Sequence, residues 1–301
     1  MKKHIGFIGL GKMGSNMVLK LLDEGYRISV YNRSSGKSKS LGKKKNVYPY
    51  FSLKEFSESL SKPRIIFIMV TAGKAVDKIL EELEPQLSKK DIIIDGGNSN
   101  YEDSIKRYKK LKKKGLYFLD VGVSGGVKRA RNGTSLMIGG DKNIFKKVET
   151  LFRDLSAKKG YEYFGTSGAG HFVKTIHNSI EYSLLESYGE GFEILHRSRE
   201  YKLDYEKISR VWNNGSIIQS RIIELAEKVF RKEPELKNFI GKIGGGETGS
   251  WGLKIAKKEK VEAGALEHAI KKRKSSMKKQ SFSTKFVSAL RKEFGGHEEP
   301  R

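Results

Sequence analysis

The sequence predicts an α/β fold, a Rossmann-type doubly wound sheet, followed by an all-α C-terminal domain. Three observations predict it. Short apolar runs alternate with amphipathic segments through the first half. A G-x-G-x-x-G joins the first apolar run to the first amphipathic one. After about residue 168 the apolar runs stop and only helical periodicity remains. The expected division is therefore 1–168 and 169–301.

The elements follow in order. "HIGFIGLG" reads as a strand entering a turn. Lys12 to Glu24 reads as a helix with Met13, Met17, Leu21 and Leu22 on one side and Gly25 ending it. The next strands are "RISVYNR", "IIFIMV" (Ile65 to Val70), "DIIIDGGN" and "LYFLDVG", with "SLMIGG" and "YEYFG" weaker. Their nearly continuous apolar character fits parallel strands buried on both faces. Helical patterns lie between them at Lys74 to Leu87, Glu102 to Lys113 and Ile144 to Leu155. Beyond the boundary a long helix is expected to run to about Arg199. "DYEKISRVWNN" and "SIIQSRIIELAEKVF" follow it, then a glycine-rich break from Gly241 to Gly252 and two more helices.

Composition limits the function. With 37 % hydrophobic and 32 % charged residues the chain can bury a core beneath a heavily charged surface. No run approaches the length a membrane span needs. The N-terminal apolar run is too short for a signal peptide, so a cytoplasmic protein is expected. Cysteine is absent, which excludes disulfides and thiolate catalysis. Sixty Lys and Arg against 35 Asp and Glu give a net charge of +25, which suits anionic partners. The basic residues cluster at Gly36 to Lys45, Lys106 to Lys114 and Lys271 to Lys279. These runs hold a single aromatic, Tyr108, and match no nucleic-acid-binding motif, so they read as solvated helix faces. No two histidines share ligand spacing, and no metal site is expected. His4, His196 and His268 read as surface or packing residues.

Gly9-Leu10-Gly11-Lys12-Met13-Gly14 follows a strand and opens a helix, the context that makes this pattern a dinucleotide fingerprint. The second strand ends in Asn32-Arg33-Ser34, where an NAD-binding chain usually places an acid. An amide and a guanidinium there favour NADP, because Arg33 can hold a 2′-phosphate that a carboxylate would repel; NAD is the other expected cofactor. Turns follow three successive strands: Val70-Thr71-Ala72, Asn98 within "DGGNS", and Ser124-Gly125-Gly126. Ligands in such sheets bind beyond the carboxyl ends of the strands. Asn98 and Ser124 can add side-chain hydrogen bonds there. Lys174, His177, Asn178 and Glu181 fall at steps of three and four, with Tyr182 alongside, and so share one helix face.

At this point the sequence resembles the decarboxylating 6-phosphogluconate dehydrogenases, in a short form, within the β-hydroxyacid dehydrogenase superfamily. The resemblance runs through "GLGKMG", "YNRS", "MVTAG", "DGGNS", "VSGG", "GAGHFVKTIHNSIEY" and the terminal "FGGH". It implies that Lys174 takes the proton from the substrate's C3 hydroxyl as hydride leaves, then polarises the ketone during loss of CO2. It implies that Glu181 protonates the resulting enediol. Such a base must be neutral, whereas a free lysine has a pKa of about 10.4. The resemblance further implies that Asn98, Ser124, Gly125, Gly126, His177 and Asn178 hold a phosphorylated sugar acid, with Tyr182 and Arg273 at its phosphate. Arg291 and His297, on a tail that family members insert into a neighbouring subunit's site, imply a homo-oligomer. The chain departs from the family pattern at Ser179, near Ala130, and at Ser250, where relatives carry a basic residue. Two other readings remain. One keeps the fold for a smaller β-hydroxy acid such as hydroxyisobutyrate, which needs neither Glu181 nor the tail. The other is a non-catalytic nucleotide-binding protein that binds nucleic acid through its basic runs.

Overall fold

The computed structural model describes residues 3–198 and 200–300. Chain contacts divide it into two compact units, Met1–Thr175 and Ile176–Arg301.

The first unit is an eight-stranded sheet with helices on both faces. In chain order its elements are β1 (His4–Ile8), α1 (Lys12–Asp23), β2 (Arg27–Tyr31), α2 (Ser35–Leu41), β3 (Val47–Tyr50), α3 (Leu53–Glu58), β4 (Ile65–Ile68) and α4 (Lys74–Leu83). They continue with β5 (Ile92–Asp95), α5 (Tyr101–Lys112), β6 (Tyr117–Ser124), α6 (Gly126–Asn132), β7 (Thr134–Gly140), α7 (Lys142–Leu155) and β8 (Ser156–Gly165). The strand order is β3-β2-β1-β4-β5-β6-β7-β8. The order of winding therefore reverses between the parallel strands β1 and β4, which opens a crevice beyond their carboxyl ends.

Side-chain alternation explains the unbroken apolar strands. Phe7, Phe67 and Ile94 enter the layer beneath α1 and α7 with Met17, Leu21 and Phe152. Their neighbours Ile8, Ile66, Ile68 and Ile93 enter the opposite layer with Phe56, Leu80 and Leu111. Each strand thus needs an apolar residue at every step.

Three details differ from the sequence reading. β7 pairs antiparallel with β6, so β7 and β8 run against the six parallel strands. β3 and the short helices α2, α3 and α6 carry too few apolar positions to show a period. α4 stops at Leu83, and Pro85 follows in a 3-10 turn, Glu84–Gln86.

Helix α8 (Ala169–Arg197) begins in the first unit and continues into the second. Its expected end at Arg199 lies outside the described residues. The second unit adds α9 (Tyr205–Trp212), α10 (Arg221–Lys232), α11 (Glu247–Lys258), α12 (Gly264–Ser275) and α13 (Phe282–Gly295). Phe192 of α8 centres its core, with ring centroids 4.7 Å from Phe286 and 4.9 Å from Phe230. Helix α10 starts five residues later than its apolar run, because the Ser220 hydroxyl accepts the Ile223 N–H and caps it there.

The glycine-rich segment is a correction of substance. It reads as a break, yet α11 begins inside it, so three helices rather than two follow. Its glycines serve close packing on α8. A Cβ at Gly249 would lie 2.6 Å from the Tyr182 ring, and one at Gly252 would lie 2.0 Å from Ser179 Oγ. Gly249→Ala should cost roughly 1–3 kcal/mol through overpacking. Denaturant unfolding checks it by a lowered midpoint at unchanged slope.

Candidate active site

In the first unit the glycine loop is held from two sides. Gly9 donates its N–H to Tyr31 O at 3.0 Å, and Asn32 Oδ1 accepts the Leu10 N–H at 2.9 Å. Asn32 also donates to Ser34 O and Oγ, so its amide braces the loop rather than standing idle for a ribose. Arg33 and Ser34 are exposed beside it. Gly9 has φ +97°, and a Cβ there would strike Met69 O and Val70 Cγ1; at Gly14 it would strike Gly9 O. At Gly11 a Cβ would meet nothing within 4 Å, although the residue is only partly exposed. No side chain caps α1, whose N-cap is Gly11. That cradle fits a dinucleotide pyrophosphate on a helix N-terminus. Lys12 is exposed and Met13 half-buried at the start of α1. Thr71 is exposed and Val70 and Ala72 half-buried in the turn after β4.

Two buried groups that the sequence reading passed over set the loops around this cradle. Arg107 lies in the basic run read as a solvated face, but it is 5 % exposed. Its guanidinium donates to Asp77 Oδ1 at 2.7 Å, Gly73 O at 3.1 Å and Asp95 Oδ2 at 3.3 Å. It thereby ties the turn after β4 to the turn after β5. Asp95 also accepts the Gly97 N–H and the Ser99 hydroxyl, leaving Asn98 between them exposed. Ser124 closes β6, and Gly125 and Gly126 follow with φ +125° and +69°.

Asp120, fully buried on β6, fixes the start of α8. Its two oxygens accept the Gly168 N–H at 2.7 Å and the His171 N–H at 3.0 Å. His171 Nδ1 meets Ser104 Oγ at 2.7 Å, and Phe172 packs edge-on against Tyr101 of α5. The first turn of α8 lies so close to the sheet that a Cβ at Gly170 would be 2.5 Å from Asp120 O. One at Gly122 would be 2.4 Å from Lys174 Cβ. Lys174, 8 % exposed, is thus seated over a glycine of β6.

In the second unit Tyr182, Arg273 and Arg291 gather. The Arg273 guanidinium stacks 3.7 Å from the Tyr182 ring centroid. Arg273 is 5 % exposed, and its Nη1 is buried with no hydrogen-bond partner. Arg291 is pushed down to about 10, first by burial and then by the Arg273 charge; Tyr182 and Glu181 act in the opposite sense. The loop beside them is stripped of side chains: a Cβ at Gly245 would lie 3.4 Å from Arg291 Nη2, and one at Gly246 3.7 Å from Arg273 Cδ. Two guanidiniums with an unfilled donor favour an anion. Ser250 bonds back to Gly246 O at 3.1 Å. His177 and Asn178 are half-buried, with His177 Nδ1 3.1 Å from Asn178 Oδ1; Glu181 is half-buried on the same helix.

Within this chain Arg291 lies near Arg273. Glu299 accepts the Ile240 and Gly241 N–H groups at 2.9 and 2.6 Å. His297 is exposed, its ring against Phe294 and over Gly295. Backbone hydrogen bonds and the Gly296 C-cap, at φ +63°, bend the chain back here.

The first unit's sheet and glycine cradle define a nicotinamide-dinucleotide-binding oxidoreductase domain, and a helical unit follows it. Residues 4–165 match the NAD binding domain of 6-phosphogluconate dehydrogenase, and residues 170–298 match the 6-phosphogluconate dehydrogenase C-terminal domain. The chain belongs to the 6-phosphogluconate dehydrogenase family. The NAD(+)-dependent, decarboxylating 6-phosphogluconate dehydrogenase of Haloferax volcanii is 36 % identical over 300 residues, covering 99 % of each chain. That of Bacillus subtilis is 39 % identical over 265 residues, and the match spans 83 % of this chain but 56 % of its own. The Plasmodium falciparum 6-phosphogluconate dehydrogenase structure superposes with a TM-score of 0.81 at 33 % identity, covering 91 % of this chain and 62 % of that one. A Mycobacterium tuberculosis 3-hydroxyisobutyrate dehydrogenase, 18 % identical with a TM-score of 0.72 over 95 % of this chain and 98 % of its own, shares the fold.

Asp120→Asn keeps the shape but leaves one of the two α8 N–H groups facing an amide. Each charge-assisted bond contributes roughly 1.5–3 kcal/mol, so stability should fall by about that amount. Thermal unfolding checks it, with the first unit's amides near Gly168 to Phe172 losing hydrogen-exchange protection.

Proposed function

We propose that this chain oxidises and decarboxylates 6-phosphogluconate to ribulose 5-phosphate and CO2, with NADP as the preferred acceptor and NAD as the lesser one. The observation that carries the substrate class is the Tyr182–Arg273–Arg291 group, whose buried, unfilled Arg273 Nη1 suits a phosphate dianion. The matching family and the Plasmodium falciparum enzyme support the same class.

The bound nicotinamide supplies the hydride acceptor. Gly9, Gly11 and Gly14 hold its pyrophosphate, Leu10, Lys12 and Met13 continue that cradle, and Val70, Thr71 and Ala72 wall it. Lys174 takes the C3 hydroxyl proton as hydride leaves C3. The resulting ammonium then hydrogen-bonds the C3 ketone, which accepts the electron pair released as the carboxylate departs as CO2. Lys174 returns its proton to that oxygen, giving an enediol. Glu181 gives a proton to the carbon that becomes C1 of the product, and the now neutral Lys174 takes back the enol O–H proton, which leaves the C2 ketone of ribulose 5-phosphate. Seven residues separate the two groups on α8, about 10 Å at roughly 1.5 Å per residue, a span that suits a six-carbon sugar acid. Asn98, Ser124, Gly125, Gly126, His177 and Asn178 orient the hydroxyls and carboxylate. His297 contributes at the rim. The deciding assay supplies 6-phosphogluconate with each nicotinamide and follows reduced cofactor and CO2 together. Equal rates of both support the proposal. Turnover of hydroxyisobutyrate alone, or steeply salt-dependent duplex DNA binding without turnover, would overturn it.

Arg33→Ala should raise the NADP KM about ten- to a hundredfold, the range of one charge-assisted hydrogen bond, and leave NAD nearly unchanged. Steady-state kinetics with each cofactor decide it. Equal losses would make Arg33 a loop support.

The tail has its own consequence if copies share it. Chains ending at Leu290 should have a strongly raised substrate KM with intact cofactor binding. Mixed oligomers of that truncation with Lys174→Ala should recover some activity, because one kind of site then holds both an intact lysine and an intact tail. No recovery in verified mixed oligomers would overturn the shared site.

A further inference from the structure

Outside the groups used above, Glu186 and Glu190 of α8 meet His268 of α12. One ligand-type atom from each lies within 4.8 Å of the others. His268 Nε2 is 3.0 Å from Glu190 Oε1. Glu186 is 4 % exposed, and its Oε1 is buried with no hydrogen-bond partner. The Lys272 ammonium stands 3.9 Å from that oxygen, beyond hydrogen-bond reach. Ser283 Oγ, from α13, lies beside this carboxylate but outside good hydrogen-bond geometry. A desolvated carboxylate this poorly satisfied is costly. Two like charges one helical turn apart add repulsion. Burial, the first cause, raises the Glu186 pKa, and the neighbouring Glu190 charge adds to it against Lys272, His268 and the Ser283 hydroxyl.

We propose that Glu186, Glu190 and His268 bind one divalent transition-metal ion, Zn2+ by ligand preference, which clamps α8 to α12. Two carboxylate oxygens and an imidazole nitrogen are borderline ligands of the kind zinc takes at about 2.0–2.2 Å, which places tetrahedral neighbours ~3.4 Å apart. The present spacing therefore needs only small side-chain rotations. Calcium and magnesium suit the set less well, since they prefer six or more oxygens and no imidazole. The ion satisfies Glu186 and removes the carboxylate repulsion. Lys272, which is partly exposed, swings out to admit it. Glu190 and His268 are exposed, so the ion has an entry path and a solvent-facing fourth position. Sequence spacing cannot show this set. Glu186 and Glu190 form an ordinary helical pair, and His268 joins them from 78 residues away.

The test uses the full chain, stripped with chelator and free of substrate and cofactor. Zn2+ is titrated by calorimetry against wild type, His268→Ala and Glu190→Gln. Both variants alter exposed side chains, and circular dichroism confirms their folding. Wild type should bind one equivalent per chain with a Kd of ~10 µM or tighter, and each variant should bind at least tenfold more weakly. Saturating Zn2+ should raise the wild-type Tm and leave that of His268→Ala unmoved. No binding by wild type at about 100 µM, or equal affinity in wild type and His268→Ala, would overturn the proposal.

Discussion

Asp120 holds the first turn of α8, and the placement of Lys174 depends on that hold. A buried carboxylate at a helix N-terminus satisfies donors that no residue of the helix can reach, and it favours the positive end of the helix dipole. Here it accepts two of them, from Gly168 and His171. Glycines at 122, 139 and 170 let the turn settle onto β6 and β7 at distances no Cβ would allow. From that fixed start the register of α8 is set. Lys174, His177, Asn178, Glu181 and Tyr182 follow by helical geometry alone.

Charge is used differently in the two units. In the first, the buried arginines are paired with carboxylates: Arg107 meets Asp77 and Asp95, and Arg64 meets Asp91 at 2.8 Å. These pairs hold loops and the ends of strands, and removing one partner would strand a buried charge. In the second, Arg273 and Arg291 lie near each other and near Tyr182, with a guanidinium donor to spare. Unfinished pairing is costly to a resting protein, so its presence beside a side-chain-free glycine loop is the strongest physical sign of an anionic ligand.

The sequence made the doubly wound sheet legible because its strands are apolar at every step and its glycines occupy the fingerprint. The helix face from Lys174 to Tyr182 was equally legible, since spacing alone defines it. What escaped was non-local. Asp95, Arg107 and Asp120 look like ordinary surface charges until the fold brings their partners within 3.3 Å. The segment from Gly241 to Gly252 looked like a break because helix propensity penalises glycine. Its glycines are required because Tyr182 and Ser179 leave room for nothing larger. The placement of Arg291 near Arg273 also depends on packing, through α13 folding onto α10 and Phe192, which no linear motif records.

The central claim is that one helix divides the chemistry, with Lys174 acting at oxidation and decarboxylation and Glu181 only at the final protonation. General acid–base groups contribute about 10²–10⁴-fold, so both substitutions slow turnover and steady-state rates alone cannot separate them. Rapid mixing of Glu181→Gln with NADP and 6-phosphogluconate, read at the reduced-nicotinamide absorbance beside Lys174→Met, does separate them. The account predicts a first-turnover burst of reduced cofactor and CO2 in Glu181→Gln, ahead of ribulose 5-phosphate, and none in Lys174→Met. Loss of hydride transfer in Glu181→Gln as complete as in Lys174→Met would contradict it.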